Sequence, residues 1–245
     1  CEAMTGFGIG ALVAGVLASV AGGFVQGCAG FGFALVATPV MMMALPPATV
    51  VPVQIMLSTA NTAVVLAGCW RHARASIVLP MALGSFLGLP VGIALLEAFN
   101  GPVLKAAVGL FVVVLAVVLA MGWRRPVRNK RAGMVFVGVL SGILGGGISI
   151  GGPPVVLFLA NEDTPKEVFR ASLIAFFMSM NCIALAMMAT RDGLLTPGVF
   201  GWAGLFLPLM VLGTLAGVAA SRRIPDRHFQ KGSLGLAALM GALLL

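Results

Sequence analysis

Residues 132–161 read AGMVFVGVLSGILGGGISIGGPPVVLFLAN and contain no Asp, Glu, Lys or Arg. A helix that spans the hydrocarbon core needs about 20 predominantly apolar residues, and this stretch exceeds that length. Five more stretches lack charge in the same way: 3–70, 75–96, 106–123, 171–190 and 193–221. The 245 residues are 60% hydrophobic and 9% charged, whereas an ordinary soluble domain carries about 25% charged residues. The sequence therefore predicts an all-α polytopic membrane protein and excludes soluble globular and disordered chains.

Two glycine-rich blocks interrupt the apolar runs. The blocks are Gly145-Gly-Gly-Ile-Ser-Ile-Gly-Gly152 in the quoted stretch and Gly27-Cys-Ala-Gly-Phe-Gly32 near the start of the chain. The apolar segments associated with them, 32–46 and 151–160, are too short to cross the membrane comfortably. Irregular backbone at membrane depth is tolerated where protein buries it or where it lines a wet cavity. We predict two glycine-broken short helices, either crossing or re-entrant, and a transport site at the breaks.

An internal duplication organises the chain. Division of the apolar runs at charges and Gly/Pro clusters gives ten segments: 5–28, 32–46, 49–69, 75–97, 103–123, 132–146, 151–160, 168–190, 197–220 and 230–244. Gly30-Phe-Gly-Phe33 aligns with Ser149-Ile-Gly-Gly152, and Asn61 aligns with Asn181. Internal similarity of this kind indicates a repeat. The predicted organisation is a first repeat over 1–123, a basic cytoplasmic hinge over 124–131 and a second repeat over 132–245.

Basic residues set the predicted orientation of the two repeats. Most of the 15 basic residues fall in the clusters 71–74, 124–131 and 222–227, and such clusters lie on the cytoplasmic side of membranes. The second-half cluster comes one connection later than its first-half counterpart. All three clusters lie inside only if each half crosses an odd number of times, which predicts inverted repeats. The net charge of +8 also suits nucleic acid, but no basic face is continuous, and we predict no nucleic-acid partner.

The predicted site lies at the glycine breaks. Each break precedes a short helix, whose free backbone N–H groups and positive end favour an anion. Gln54, Ser58, Asn61 and Asn181 lie inside otherwise apolar segments, where a buried amide needs a neighbouring helix or a ligand as partner. Arg170 either pairs with Glu167 at the membrane surface or binds an oxyanion with its planar guanidinium.

Enzyme chemistry has little support in the sequence. Gly147-Ile-Ser-Ile-Gly151 matches G-x-S-x-G, the nucleophile elbow of serine hydrolases. The histidines, His72 and His228, fall in loops away from this break, so no base is available to Ser149. The four cysteines form no C-x-x-C pair, and no metal or cofactor motif occurs. We predict that the chain is not an enzyme, and we predict no cofactor, metal, disulfide framework or signal peptide.

Two longer motifs resemble a known family. Gly23-Phe-Val-Gln-Gly-Cys-Ala-Gly-Phe-Gly-Phe-Ala-Leu-Val-Ala-Thr-Pro-Val40 is similar to the first-half signature of the sulfite exporter TauE/SafE family. Gly142-Ile-Leu-Gly-Gly-Gly-Ile-Ser-Ile-Gly-Gly-Pro-Pro-Val-Val-Leu157 is similar to its second-half counterpart. The resemblance implies a multi-pass permease of the bacterial inner membrane for sulfite, sulfoacetate, other organosulfonates or thiosulfate. The matched motif positions are Gly27, Gly30, Phe31, Gly32, Thr38, Pro39, Gly146, Gly147, Gly151, Gly152, Pro153 and Pro154.

Motifs, parity and resemblance together predict a secondary transporter of small sulfur-containing anions that works by alternating access in the lipid bilayer. Its coupling ion would be a proton or sodium. The candidate substrate-binding residues are Gly27, Gly30, Phe31, Gly32, Phe33, Gln54, Ser58, Asn61, Gly147, Ser149, Gly151, Gly152, Arg170 and Asn181. The alternatives are a passive anion channel with the same site and an intramembrane hydrolase that uses Ser149.

Overall fold

The computed structural model describes residues 9–99, 101–104, 106, 107, 110, 129–160 and 165–221, and their regular structure is helical. Eight α-helices are described from end to end: α1 (Ile9–Ala29), α2 (Phe33–Ala44), α3 (Pro47–Ala67), α4 (Ala75–Ala98), α5 (Lys130–Ile148), α6 (Gly152–Ala160), α7 (Lys166–Ala189) and α8 (Pro197–Ser221). A 3-10 turn, Trp70–His72, lies between α3 and α4. The predicted segment 230–244 and most of 103–123 and of the hinge 124–131 lie outside the described residues.

Six of these helices are long and apolar enough to cross a membrane, namely α1, α3, α4, α5, α7 and α8. The predicted class, an all-helical multi-pass membrane protein, is confirmed. The other two helices, α2 and α6, comprise 12 and 9 residues. At 1.5 Å per residue they cover about 18 and 14 Å of a hydrocarbon core about 30 Å thick. The short segments predicted at the glycine blocks are therefore present as short helices.

Helices α1 and α8 pack with their backbones almost in contact. A Cβ added at Gly23 of α1 would meet Thr214 of α8. A Cβ added at Gly27 would meet Val218, one turn further along α8. Because residue numbers rise together along the contact, the two helices run parallel. Small residues at such positions favour association in lipid, where close packing replaces the hydrophobic effect.

Helices α4 and α5 repeat this arrangement. A Cβ added at Gly84 would meet Val135, and one added at Gly92 would meet Ile143, so these helices are parallel as well. The predicted repeats pair α5 with α1 and α4 with α8. Under that pairing, each of the two contacts joins the first helix of one predicted repeat to the last helix that is described from end to end in the other.

Helices α3 and α7 meet at the centre and run in opposite directions. Asn181 Nδ2 of α7 donates a 3.0 Å hydrogen bond to Ser58 Oγ of α3. One turn further along α3, Thr62 Oγ1 lies 3.5 Å from Met178 Sδ, which precedes Asn181. Residue numbers rise along one helix and fall along the other, as they do for antiparallel neighbours.

Polar side-chain contacts lie at both ends of α7, and the one beyond its C-terminal end is an ion pair. Near its start, His72 Nε2 lies 3.4 Å from the Glu167 carboxylate. Beyond its end, Arg191 Nη1 donates a 2.7 Å hydrogen bond to Glu97 at the end of α4. The two ends of α7 thus contact the α3–α4 connection on one side of the protein and the end of α4 on the other.

Candidate functional site

Each glycine break begins with a residue of positive φ that follows the preceding helix. The first break contains a second such residue, Gly32 with φ 104°, and the second break has no counterpart to it. Gly30 follows α1 with φ 80°, and Ser149 follows α5 with φ 61°. The Gly30 N–H donates to the Gln26 carbonyl at 2.7 Å, and the Ser149 N–H donates to the Gly145 carbonyl at 3.0 Å. Glycine adopts positive φ readily, whereas serine pays a steric penalty for its Cβ. The sequence alignment of the two breaks, which pairs Gly30 with Ser149, thus coincides with an equivalent turn at each break.

One small cavity of ≈ 40 Å³ lies between the breaks. A buried water needs about 10–15 Å³ of such volume, so the cavity has room for about three waters. Its lining comprises Gln26, Gly32, Phe33, Ala34, Leu35, Ser58, Ser149, Ile150, Gly151, Gly152, Phe177, Met180 and Asn181. This lining includes no acidic or basic residue. It joins the first turn of α2, the start of α6 and the middle of α3 and α7.

Two buried polar atoms of residues on the cavity wall, Gln26 Nε2 and Ser149 Oγ, have no hydrogen-bond partner among the described residues. Gln26 is 2% exposed and its Nε2 makes no hydrogen bond, and Ser149 is 9% exposed with an equally unpartnered hydroxyl. Buried polar groups in native proteins are nearly always hydrogen-bonded, and exceptions often indicate a role in function or an unseen ligand. By contrast, Asn181 already donates to Ser58.

The first turn of α2 adds backbone donors to the wall. The Val36 N–H donates to the Gly32 carbonyl at 3.2 Å, which begins the hydrogen-bond ladder of this helix. The N–H groups of Phe33, Ala34 and Leu35 precede that bond and have no intrahelical acceptor. All three residues line the cavity, and Gly32 supplies no side chain to cap them. The positive end of α2 is therefore directed to the cavity.

An apolar surface covers the second break. A Cβ added at Gly151 would lie 2.9 Å from Met180 Cε and 2.6 Å from the Ser141 carbonyl oxygen. A Cβ added at Gly152 would lie 3.3 Å from the Phe177 ring. Met180 and Phe177 are buried. The glycines here make room for α7 side chains as well as for the cavity.

Arg170 lies beside the first break and not in the cavity lining. Its Nη2 donates a 2.9 Å hydrogen bond to the Gly27 carbonyl oxygen, and its Cγ lies 2.9 Å from the Cβ position of Gly30. The last carbonyls of a helix lack intrahelical donors and carry partial negative charge. Arg170 therefore caps the broken end of α1. Glu167, which the sequence offered as its partner, contacts His72 instead.

The remaining predicted site residues lie outside the cavity lining. Gln54 Nε2 contacts Met41 Sδ at 3.1 Å. Asn61 Oδ1 accepts a 3.0 Å hydrogen bond from Thr214 on α8. A Cβ at Gly147 would lie 3.2 Å from the Gly92 carbonyl oxygen, which makes Gly147 a packing position. Gly27, Gly30 and Phe31 also lie outside the lining.

Seven of the fourteen predicted residues do line the cavity: Gly32, Phe33, Ser58, Ser149, Gly151, Gly152 and Asn181. Sequence reasoning missed the other six lining residues, which are Gln26, Ala34, Leu35, Ile150, Phe177 and Met180. Ala34, Leu35 and Ile150 are apolar residues next to predicted positions of the two breaks. The signal available for Gln26 was an amide inside an otherwise apolar run next to a glycine block. Phe177 and Met180 are apolar residues of an apolar helix, and nothing in the sequence distinguishes them.

Thiols and metal ligands do not form a further centre in the described part of the chain. Cys28, Cys69 and Cys182 are free thiols, and Cys28 Sγ donates a 3.0 Å hydrogen bond to the Gly217 carbonyl. Burial raises the pKa of the Cys69 thiol, and the nearby positive charge of Arg170 offsets part of that rise. Among the described residues no group of three or more His, Cys, Asp or Glu side chains could hold a metal ion.

Membrane-crossing helices that surround a cavity with a few polar side chains, next to two broken helices, are typical of transport proteins. The chain belongs to the sulfite exporter TauE/SafE family, whose family model matches residues 12–244. It is therefore a membrane transport protein of a family of exporters for sulfur anions and not an enzyme.

A relative from Cupriavidus necator, named "Probable sulfite/organosulfonate exporter TauE", is 28% identical over 231 residues. The similarity covers 91% of this chain and 78% of the relative. No solved structure matches the chain.

Proposed function

We propose that this chain is a secondary transporter of sulfite or a small organosulfonate and that the anion binds in the cavity between the glycine breaks. The observation that carries the proposal is Ser149. It is the one non-glycine residue with positive φ among the described residues. It also lines the cavity, and its hydroxyl is buried without a partner among those residues. Strain of this kind persists where the surroundings enforce it, and it is concentrated at ligand sites.

The character of the wall supports an anion as ligand. It offers amide, hydroxyl and backbone N–H donors, and its lining contains no carboxylate that would repel a negative charge. It also contains no Lys or Arg, so the anion would be held by dipoles alone. A site without a fixed countercharge suits a transporter, because the anion must be released as well as bound. The name of the C. necator relative supports sulfite and organosulfonates as the class of substrate.

Helix directions support alternating access between two inverted halves, 1–123 and 132–245. The central helices α3 and α7 are equivalent and antiparallel, with Ser58 beside Asn181. Exchange of the two halves also interchanges the parallel pairs α1–α8 and α4–α5. A two-fold axis in the membrane plane would relate helices in this way, and that symmetry lets one site open to either side. We extend the proposal to the bacterial inner membrane, with the hinge 124–131 in the cytoplasm.

Transport by purified protein in liposomes tests the proposal. Vesicles that contain the protein should take up sulfite or isethionate in a saturable manner, and an imposed proton or sodium gradient should change the rate. Ohmic anion currents in a planar bilayer would indicate the channel instead. Failure of every tested sulfur oxyanion to be transported would refute the substrate class.

Ser149→Gly tests the position of the site. Glycine at position 149 removes both the strain and the hydroxyl, so we expect thermal stability to be kept or raised while transport falls. Unchanged transport by this variant would place the anion elsewhere. A fluorophosphonate probe applied to the parent protein tests the hydrolase alternative. We expect no labelling of Ser149, and labelling would favour a hydrolase.

A further inference from the structure

We infer that the two breaks do not share the anion equally and that Gln26, together with the N-terminus of α2, selects an oxyanion ligand. The inference rests on the proposed function and adds which of the two breaks supplies most of the hydrogen-bond donors to the anion. It also identifies a specificity-determining residue that the alignment of the repeats does not suggest.

Gln26 has the features expected of a ligand contact. Its side chain is 2% exposed, lines the cavity and leaves Nε2 without a partner among the described residues. Its backbone carbonyl accepts the 2.7 Å hydrogen bond from Gly30 that closes the end of α1. The break thus fixes the backbone from which this amide extends. An unpaired amide buried at membrane depth is costly unless a ligand or water satisfies it.

The N-terminus of α2 lies on the same wall. Phe33, Ala34 and Leu35 line the cavity. The backbone N–H of each residue has no carbonyl acceptor within the helix. Helix N-termini attract anions through these groups and through the helix dipole. Amide and backbone donors therefore converge from the end of α1 and the start of α2.

The second break has neither a side-chain amide at the equivalent position nor a comparable set of free backbone N–H groups. The residue equivalent to Gln26 is Gly145, and the space beside it contains Met180, whose Cε lies 3.0 Å from the Cβ position of the glycine. Helix α6 begins Gly152-Pro153-Pro154, and proline has no backbone N–H to donate. The second break therefore contributes the Ser149 hydroxyl and few backbone donors.

This arrangement fits a sulfite or sulfonate group. An SO3 group presents three acceptor oxygens on one centre, and the wall offers three kinds of donor: the Gln26 amide, the α2 backbone and the Ser149 hydroxyl. Charge-assisted hydrogen bonds of this type are stronger than those between neutral groups.

Calorimetric titration of the purified full-length protein with sodium sulfite, and separately with isethionate, tests the inference. Gln26→Leu keeps the approximate size of the side chain and removes the amide. We expect it to weaken binding by at least about tenfold and to raise the Tm of the ligand-free protein, because an unpaired buried donor is replaced by an apolar group. A glutamine with only a structural role would lower the Tm instead. Gln26→Glu should weaken binding more strongly, since it sets a carboxyl group against the anion.

Ser19→Ala is the matched control. Ser19 lies on the same helix, is fully buried and has an unpartnered hydroxyl, but it does not line the cavity. We expect the affinity of Ser19→Ala for sulfite and for isethionate to stay within about twofold of the affinity of the parent protein. If the parent protein binds both ligands and Gln26→Leu binds them equally well, the inference is wrong while the proposed function stands. If the parent protein binds no sulfur oxyanion, the proposed function itself fails.

Discussion

Asn181 of α7 and Ser58 of α3 are joined by a 3.0 Å hydrogen bond from the amide nitrogen to the hydroxyl oxygen, on the wall of the cavity between the two breaks. The bond links the central helices of the two halves at the level of the proposed site. The Asn181 NH2 group has two N–H donors, and the bond to Ser58 uses one of them. A ligand in the cavity can therefore accept from the second N–H while the contact between α3 and α7 is kept.

Asn181→Ala is expected to weaken anion binding by about tenfold, in line with the ~1.5 kcal/mol value of a hydrogen bond to a charged group. Binding is measured by calorimetric titration with sulfite.

Asn61→Ala should act differently, because Asn61 is fully buried between α3 and α8 beside Thr214. Its truncation leaves a void, so we expect a larger fall in Tm than for Asn181→Ala. Equal Tm values with equal losses of affinity would contradict this distinction.

Gly88→Ala is expected to separate α4 from α5 and to destabilise the protein, since an added Cβ would fall on the Val139 carbonyl. Overpacking of this kind costs about 1–3 kcal/mol. Gly204→Ala is the matched control, because nothing lies within 4 Å of its Cβ position. Thermal unfolding in detergent, followed by tryptophan fluorescence, should show a lower Tm for Gly88→Ala. The Tm of Gly204→Ala should equal that of the parent protein. An unchanged Tm for Gly88→Ala would mean that these helices are less tightly packed.

Arg170→Ala is expected to lower the Tm, because it removes the cation that caps the end of α1 at Gly27. Loss of a hydrogen bond from a charged donor costs about 1.5–3 kcal/mol. Arg170→Lys retains the charge and should lie between the parent and the alanine variant. If both variants keep the parental Tm but lose transport, Arg170 contacts the anion during the cycle and is not only a cap.

Met180→Ala is expected to enlarge the cavity and to shift selectivity toward larger substrates. Its side chain occupies the space beside Gly151 and Gly145, and truncation of a buried methionine leaves a cavity at a cost of about 2–5 kcal/mol. The ratio of isethionate to sulfite affinity should rise at least severalfold. Met43→Ala, at a 59% exposed position of α2, serves as the control. A ratio that stays constant in Met180→Ala would show that methionine does not limit the size of the ligand.

Arg71 is expected to face the cytoplasm, together with the predicted hinge. Its guanidinium lies 5.5 Å from the centre of the Trp70 ring, and tryptophan beside a basic residue is typical of a membrane–water interface. A single cysteine at position 71 in a cysteine-free background should react with an impermeant maleimide only after the membrane is opened. Labelling in intact cells would reverse the predicted orientation. The equivalent tests at Arg128 and Arg223 concern positions outside the described residues.

Helix bounds were predictable because charge and glycine mark the ends of apolar runs. The predicted segment 197–220 and the observed α8, Pro197–Ser221, differ by one residue. The predicted segment 32–46 includes α2, Phe33–Ala44. Neither prediction required knowledge of the packing, because in a membrane the length and polarity of a segment largely determine whether it crosses.

Side-chain positions in the site were harder to predict. Asn61 and Asn181 are equivalent in the repeat, yet Asn181 lines the cavity and Asn61 contacts Thr214. Gln26 has glycine as its counterpart, so a search for paired polar residues passes over it. Symmetry of the sequence therefore predicts the two backbone breaks better than it predicts the side chains, because residues that align between the predicted repeats make different contacts.

The pairing of α1 with α8 has a consequence for how the chain is made. Cys28 and the Gly217 carbonyl to which it donates are 189 residues apart in the sequence. At a synthesis rate of about 5–20 residues per second, the first helix would enter the bilayer roughly 10–40 s before its partner is made. During that interval its glycine surface is exposed to lipid or to the insertion machinery. The last described helix to leave the ribosome is thus the one that completes the packing of the first, and truncation before α8 should leave α1 open to proteolysis.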